Sequence, residues 1–333
     1  MTGLSTTSPP GAGGRDRAPQ RVALEQHGPY TANLMKVGAM LPETLALLAA
    51  WEGQSREVFT RQVVEGNLVG KATRRRLADL LGRVFWRRFP AEGTPGLPHA
   101  SAFIRTYGVS EASRLVCLYH AASAEVLLWD LVLALGGPAA TQSGTAFGPG
   151  VPLVSTEPDD AGLRIHQRAV AGHLTTEDAV RFIRAHGGAP AANWSANTAI
   201  RTARGALAAL RDFGVLEGRA RKRLASRLPV PLPAFLYVAH TLRDQGAGAR
   251  EIAGSPAWRL FLLGQADVEL LFLRAHAAGH LRYYRLGDVW RIDWMHRNLA
   301  ALLAALAAES PGASDPVAGR AAPSEKGGPD ATQ

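Results

Sequence analysis

The stretch that decides the fold is Trp194–Gly218, WSANTAIRTARGALAALRDFGVLEG. Ser195 suits an N-cap, because its hydroxyl accepts from a backbone N–H that the first helical turn leaves unpaired. Ile200, Ala203, Leu207, Leu210 and Phe213 recur at helical spacing and predict the buried side of a long helix. Gly214 is a left-handed stop, and Val215-Leu216 then reads as a short strand. Away from the apolar stripe lie Asn197, Arg201 and Arg204, near the N-terminus, where a recognition helix meets base edges or phosphates. A basic run follows directly, with Arg219, Arg221, Lys222, Arg223 and Arg227. From Arg201 to Val230 eight basic residues face two acidic ones, a net +6 in thirty residues against +9 for the whole chain of 333. Ser195 and these eight positions other than Arg211, together with Asn197, are therefore the expected DNA contacts.

Working outward, Thr175 with Asp178 three residues on is a variant capping box, stapled by Leu174. Val180, Phe182 and Ile183 give that helix an apolar side, Gly187-Gly188 ends it, and a loop containing Pro190 follows. Helix, loop, capped long helix and short ribbon is the winged-helix plan, so residues 174–230 are expected to form a basic winged-helix-like unit. Residues 231–309 predict a second. Its helices are Pro233 to Gln245, Ala257 to Leu263 after the Ser255-Pro256 cap, and Ala266 to Ala278 before Gly279. Strands His280 to Arg285 and Val289 to Trp294 flank the turn Leu286-Gly287-Asp288. The third helix here carries Asp267 and Glu269 with only Arg274, which favours packing or protein docking over DNA reading.

Residues 29–137 predict a helical bundle. Helices start at Pro42-Glu43, Ser55, Thr73 and Ser110, and a last one covers Ala124 to Leu135. On the Thr73 helix Leu77, Leu80, Leu81, Val84 and Phe85 form the apolar stripe. Around it stand Lys71, Arg74, Arg75, Arg76, Arg83, Arg87 and Arg88, a second basic patch that either grips phosphate or solvates the helix; Arg74, Arg75 and Arg76 join the expected DNA contacts. Residues 138–173, rich in Gly, Pro, Thr and Ser, read as a linker or mobile insertion. The tails, 1–28 and 310–333, read as disordered. The expected fold is mainly α: an N-terminal helical bundle followed by winged-helix or helix-turn-helix units with short β-hairpins.

Lys and Arg number 37 against 28 Asp and Glu, which makes polyanions plausible partners. A GC-rich coding habit also raises Arg and Ala, so the position of the charge carries the argument rather than its total. Cys117 is the single cysteine, and residues 1–20 lack the apolar core of a signal peptide. The most apolar stretch, Leu115 to Gly136, is interrupted by His120, Glu125 and Asp130, so a cytoplasmic protein without membrane contact is expected. Gly66 to Thr73 imitates a P-loop, yet Glu65 replaces its first glycine and Ala72 its metal-binding hydroxyl. His276 and His280 are separated by a helix-breaking Gly279 and lack an adjacent acidic ligand. No catalytic string, metal site or cofactor is expected.

Several segments carry a family resemblance. YTANLMKVGAMLPETLALLAAW (Tyr30, Gly38, Leu41, Pro42, Glu43, Thr44) and VVEGNLVGKATRRR (Asn67, Thr73) look like the N-terminal signature of BrxA, a small component of BREX bacteriophage-exclusion systems. The Trp194–Gly218 stretch and GHLRYYRLGDVWRIDW (Gly279, Leu281, Tyr283, Trp294) resemble the C-terminal half of that family. The similarity covers about Tyr30 to Leu306 through diffuse motifs, and the 138–173 insertion and both tails depart from the pattern. The resemblance implies a helical DNA-binding protein inside a defence complex whose other proteins include a methyltransferase, an ATPase and a phosphatase-like component. It also implies that the chemistry belongs to those partners. A structural adaptor and an autonomous transcriptional regulator are the alternatives.

Overall fold

The computed structural model describes residues 29–70, 73–93, 95–137 and 160–309. These are mainly helical, with two small two-stranded antiparallel sheets. The expected disordered tails and most of the 138–173 insertion lie outside the described residues.

The chain opens with α1 (Leu34–Val37), α2 (Leu41–Ala50), α3 (Arg56–Gly66) and α4 (Arg74–Leu80). Ser55 and Thr73 cap as the sequence predicts, accepting from the N–H of Val58 (3.3 Å) and Arg76 (3.2 Å). A π turn, Leu81–Phe85, carries α4 into α5 (Trp86–Arg88) and sets the Phe85 ring between Phe59 and Phe89. The sequence reading does not anticipate α6 (Leu97–Tyr107). Its buried residues Leu97, Ala100, Phe103 and Ile104 stand at helical spacing, but the Gly96-Leu97-Pro98 start reads as loop.

Next come α7 (Glu111–Ala124), capped by Ser110, and α8 (Val126–Leu135), bent by 115° from it. The helix expected from Ala124 therefore begins at Val126, because Glu125 takes an extended conformation at the corner. Glu125 is 3% exposed, and its carboxylate accepts from Thr31 Oγ1 (2.7 Å) and Asn33 Nδ2 (3.4 Å), with Arg87 Nε at 3.4 Å. A buried charge needs such satisfaction, and here it pins the segment leading into α1 onto the corner. Arg88 corrects the second basic patch. It is buried and donates to the carbonyls of Ala39 (2.5 Å) and Gly38 (2.8 Å). Burial pulls its pKa down to about 10, so it stays charged at neutral pH.

The second half begins with α9 (Asp160–Val170), which corrects the expectation of a linker across 138–173. Ile165 and Ala169, one turn apart, are its buried positions, too sparse an apolar pattern to read as a helix. Then follow α10 (Thr176–His186), α11 (Gly188–Ala192), α12 (Ala196–Asp212), β1 (Leu216–Glu217) and β2 (Arg223–Leu224). The last segment holds α13 (Leu232–Asp244), α14 (Ala249–Ala253), a 3-10 turn at Pro256–Phe261, and α15 (Gln265–Ala277). It ends with β3 (Leu281–Leu286), β4 (Val289–Trp294) and α16 (Leu299–Glu309). β3 and β4 pair from Leu281↔Trp294 to Leu286↔Val289, leaving a two-residue Gly287-Asp288 turn.

One continuous hydrophobic cluster joins these segments. α9 packs on α8 and α10, and α16 lies across α6 and α13. His120 on α7 shares a hydrogen bond with the Tyr237 hydroxyl on α13 (2.8 Å) and another with the Arg88 carbonyl (3.0 Å). Among the described residues no single helix is long and apolar enough to cross a membrane.

Candidate nucleic-acid interface

α9, Leu174, α10, α12 and the β1–β2 hairpin follow one another and pack together. Leu174 is more than a staple. Its N–H donates to the Lys222 carbonyl (3.1 Å) and its carbonyl accepts from Lys222 N–H (3.0 Å), so it adds one residue of strand to the hairpin. Thr175 and Asp178 then close the capping box. Thr175 donates to the Asp178 carboxylate from its N–H (2.9 Å) and hydroxyl (2.7 Å). Burial works against the Asp178 charge, but the Thr175 bonds and Arg181 hold its pKa below the usual range.

The turn into α12 is fixed by a residue the sequence reading does not single out. Arg184 donates to the carbonyls of Ala191 (2.7 Å), Ala192 (2.8 Å) and Trp194 (2.7 Å). Three carbonyls on one guanidinium hold α11 and the start of α12 against α10. Ser195 caps α12 as expected, its hydroxyl accepting from Thr198 N–H (3.1 Å).

The buried side of α12 is Ala199, Thr202, Ala203, Ala206, Leu207, Ala209 and Leu210, with Phe213 beyond it. Ile200, expected on that side, is 37% exposed. The reason is that an alanine-rich arc, not the large apolar residues alone, meets the neighbouring helices. α10, α1 and α8 cover it. At Gly205 the approach of α1 is so close that a Cβ would lie 2.0 Å from the Leu34 carbonyl oxygen. The opposite side is open. Asn197, Arg201, Arg204 and Arg211 are exposed along it, a run of about 21 Å at 1.5 Å per residue.

In the hairpin, Leu216 pairs with Leu224 and Glu217 with Arg223. Gly218 opens the connecting loop at φ +89, where a Cβ would come within 2.3 Å of the Arg221 carbonyl oxygen. Alternation then sorts the basic run. Arg219, Arg221, Arg223 and Arg227 are exposed. Lys222, expected to contact phosphate, is buried and its ammonium donates to the Arg219 carbonyl (2.9 Å). Burial, with Arg211 close by, lowers its pKa. α12 packs on β1, so its open side ends beside the hairpin.

Two of the cations are neutralised locally. Arg211 pairs with Asp212 (3.0 Å) and Arg223 with Glu217 (2.5 Å). Arg201, Arg204, Arg219, Arg221 and Arg227 make no ion pair among the described residues. On α4, Arg74, Arg75 and Arg76 are exposed in the first turn. The rest of that patch is engaged: Arg83 pairs with Asp79 (2.9 Å) and Arg87 donates to the Ala124 carbonyl (3.3 Å). Lys71 lies outside the described residues.

Elsewhere, His276 Nδ1 sits 3.3 Å from the Tyr283 carbonyl and His280 lies 3.8 Å from Glu309. Among the described residues no group of three or more His, Cys, Asp or Glu is placed to hold a metal ion. Cys117 is buried, its thiol pKa pushed up to about 12 by desolvation. Compared with known proteins, the chain matches no protein-family model, no curated protein and no solved structure.

Proposed function

We propose that the chain is a double-stranded DNA-binding protein without catalysis of its own, in which residues 160–227 act as a winged helix. α12 is the recognition helix and the loop from Gly218 to Lys222 is the wing. The observation that carries this reading is a set of five exposed arginines on the open side of α12, in its hairpin loop and just past the hairpin, which make no ion pair among the described residues. With the five-residue α11 taken as part of the turn between α10 and α12, the order helix, one-residue strand, helix, helix, hairpin also suits a winged helix. Arg219, Arg221 and Arg227 grip phosphate, to which guanidinium binds bidentately. Asn197 and Arg201, near the start of α12, reach base edges.

The resemblance to BrxA supplies the setting: an accessory component of a BREX-type phage-defence assembly in the cytoplasm, beside a methyltransferase, an ATPase and a phosphatase-like protein. Fluorescence anisotropy on duplex DNA tests the binding. Arg219→Ala/Arg221→Ala should weaken it for every sequence alike, whereas Asn197→Ala should relax sequence preference. Equal affinity of wild type and the double variant sinks the reading. Loss of phage restriction on deleting the chain from a defence gene cluster tests the setting.

The second unit favours a docking role. Its α13 to β4 order parallels the first, yet its third helix exposes Leu270 and Leu273 where α12 exposes arginine.

A further inference from the structure

We propose that α15 is a self-association surface, occupied by the α15 of a second copy packed antiparallel across a two-fold axis. This goes beyond the DNA reading and does not depend on it. Val268, Leu271, Phe272 and Ala275 are the buried residues of α15. Its outward side carries Ala266, Leu270, Leu273 and Ala277, with Leu270 56% and Leu273 53% exposed. At about 100° per residue these four positions fall within an arc of roughly 60°. Water faces an apolar stripe two to three turns long, and no described element covers it.

The stripe is a palindrome. Its spacing of four, three and four residues reads the same from either end. A two-fold axis between Leu270 and Leu273 therefore sets Leu270 on Leu273 of the second copy and Ala266 on Ala277. Leucines fill the centre and the small residues let the helix ends approach. Self-complementarity of this kind is what an isologous contact requires.

The flanking polar residues obey the same symmetry. One flank of the stripe carries Asp267 and Arg274, the other Glu269 and His276. Across the two-fold, like flanks meet with reversed direction. Asp267 then lies beside Arg274 of the second copy and Glu269 beside its His276, each offset by about 3 Å along the axis. Both carboxylates are already held in place. Asp267 accepts from Gly264 N–H (3.0 Å), and Glu269 pairs with Arg285 of β3. A parallel pairing would lack this match, so charge selects the antiparallel arrangement. One helix face on each side is a limited contact, so the pairing is expected to be reversible.

Sedimentation equilibrium of the full chain across micromolar concentrations is the test, with circular dichroism confirming that each variant keeps its fold. Wild type should show a reversible monomer–dimer equilibrium. Leu270→Glu/Leu273→Glu should raise the dimer dissociation constant by about 100-fold or more, since both side chains are exposed in the monomer and buried in the pair. Arg274→Glu should raise it about tenfold, and Arg282→Glu, on the outer face of β3, should leave it unchanged. A chain that stays monomeric throughout overturns the proposal. So does a dimer that survives the double leucine change, or a different protein captured on α15 while the chain itself is monomeric. The DNA reading fails or stands separately, on arginines outside α15.

Discussion

The two C-terminal units share an order of elements and differ in what their third helix shows to solvent. α12 exposes Asn197, Arg201, Arg204 and Arg211, while α15 exposes Ala266, Leu270, Leu273 and Ala277. Their hairpins differ in the same sense. The β1–β2 loop ends in Arg219 and Arg221, and the β3–β4 turn is flanked by Leu286 and Val289, 84% and 68% exposed. On the proposed reading, a similar order of elements carries two surfaces, a basic one suited to a polyanion and an apolar one suited to protein. The core decides where the third helix lies, and the residues left outside the core decide what it meets.

The comparison can be broken at the support of α12. Gly205→Val drives a side chain into the Leu34 carbonyl, which stands 2.0 Å from where a Cβ would sit. Overpacking against backbone should cost about 3 kcal/mol or more in denaturant unfolding, whereas Leu270→Ala on exposed α15 should cost less than about 0.5 kcal/mol.

Acid should separate the units next. Desolvation lowers the pKa of His120 to about 4 and that of His240 to about 3, so both are neutral when folded. Unfolded, they take up protons below about pH 6.5. Stability is therefore fully present above pH ~6.5 and falls as pH drops toward ~4, by about 1.4 kcal/mol per pH unit for each histidine. His240 lies on α13 and His120 bonds to Tyr237 on it. Hydrogen exchange at pH ~5 should thus rise in α13 before α12; the reverse order would remove the histidines from the explanation.

Gly218→Ala should cost about 2 kcal/mol, from a left-handed residue forced to carry a Cβ. It should also weaken DNA binding by displacing Arg219 and Arg221. The smallest effect is at Lys222. Lys222→Met should change DNA affinity by less than about threefold, because its ammonium already serves the Arg219 carbonyl. Arg221→Ala should change it by about tenfold.

Much of the first unit was legible in the sequence. The Ser195 and Thr175 caps, the Gly214 stop and the outward Arg201 and Arg204 follow from hydroxyl chemistry and a 3.6-residue period. Lys222 was not legible, because it pairs with a one-residue strand at Leu174, far earlier in the chain. Nor was Arg184, whose partners are carbonyls and leave no side-chain pattern. Ile200 misled because alanines, which look neutral, define the buried arc of α12. In α15 a signal was present: four consecutive apolar residues, Leu270 to Leu273, cannot all face one core. α9 left too faint a stripe to separate it from the Gly- and Pro-rich residues before it.

The central claim is that charge on the first unit, and not net charge, binds DNA. The direct measurement is the salt dependence of duplex affinity for two charge-matched triple variants, Arg219→Ala/Arg221→Ala/Arg227→Ala and Arg282→Ala/Arg291→Ala/Arg297→Ala. The first should reduce the slope of log K against log salt by about 2.7, for three lost phosphate contacts, and the second should leave it unchanged. Equal slopes for the two variants would contradict the account.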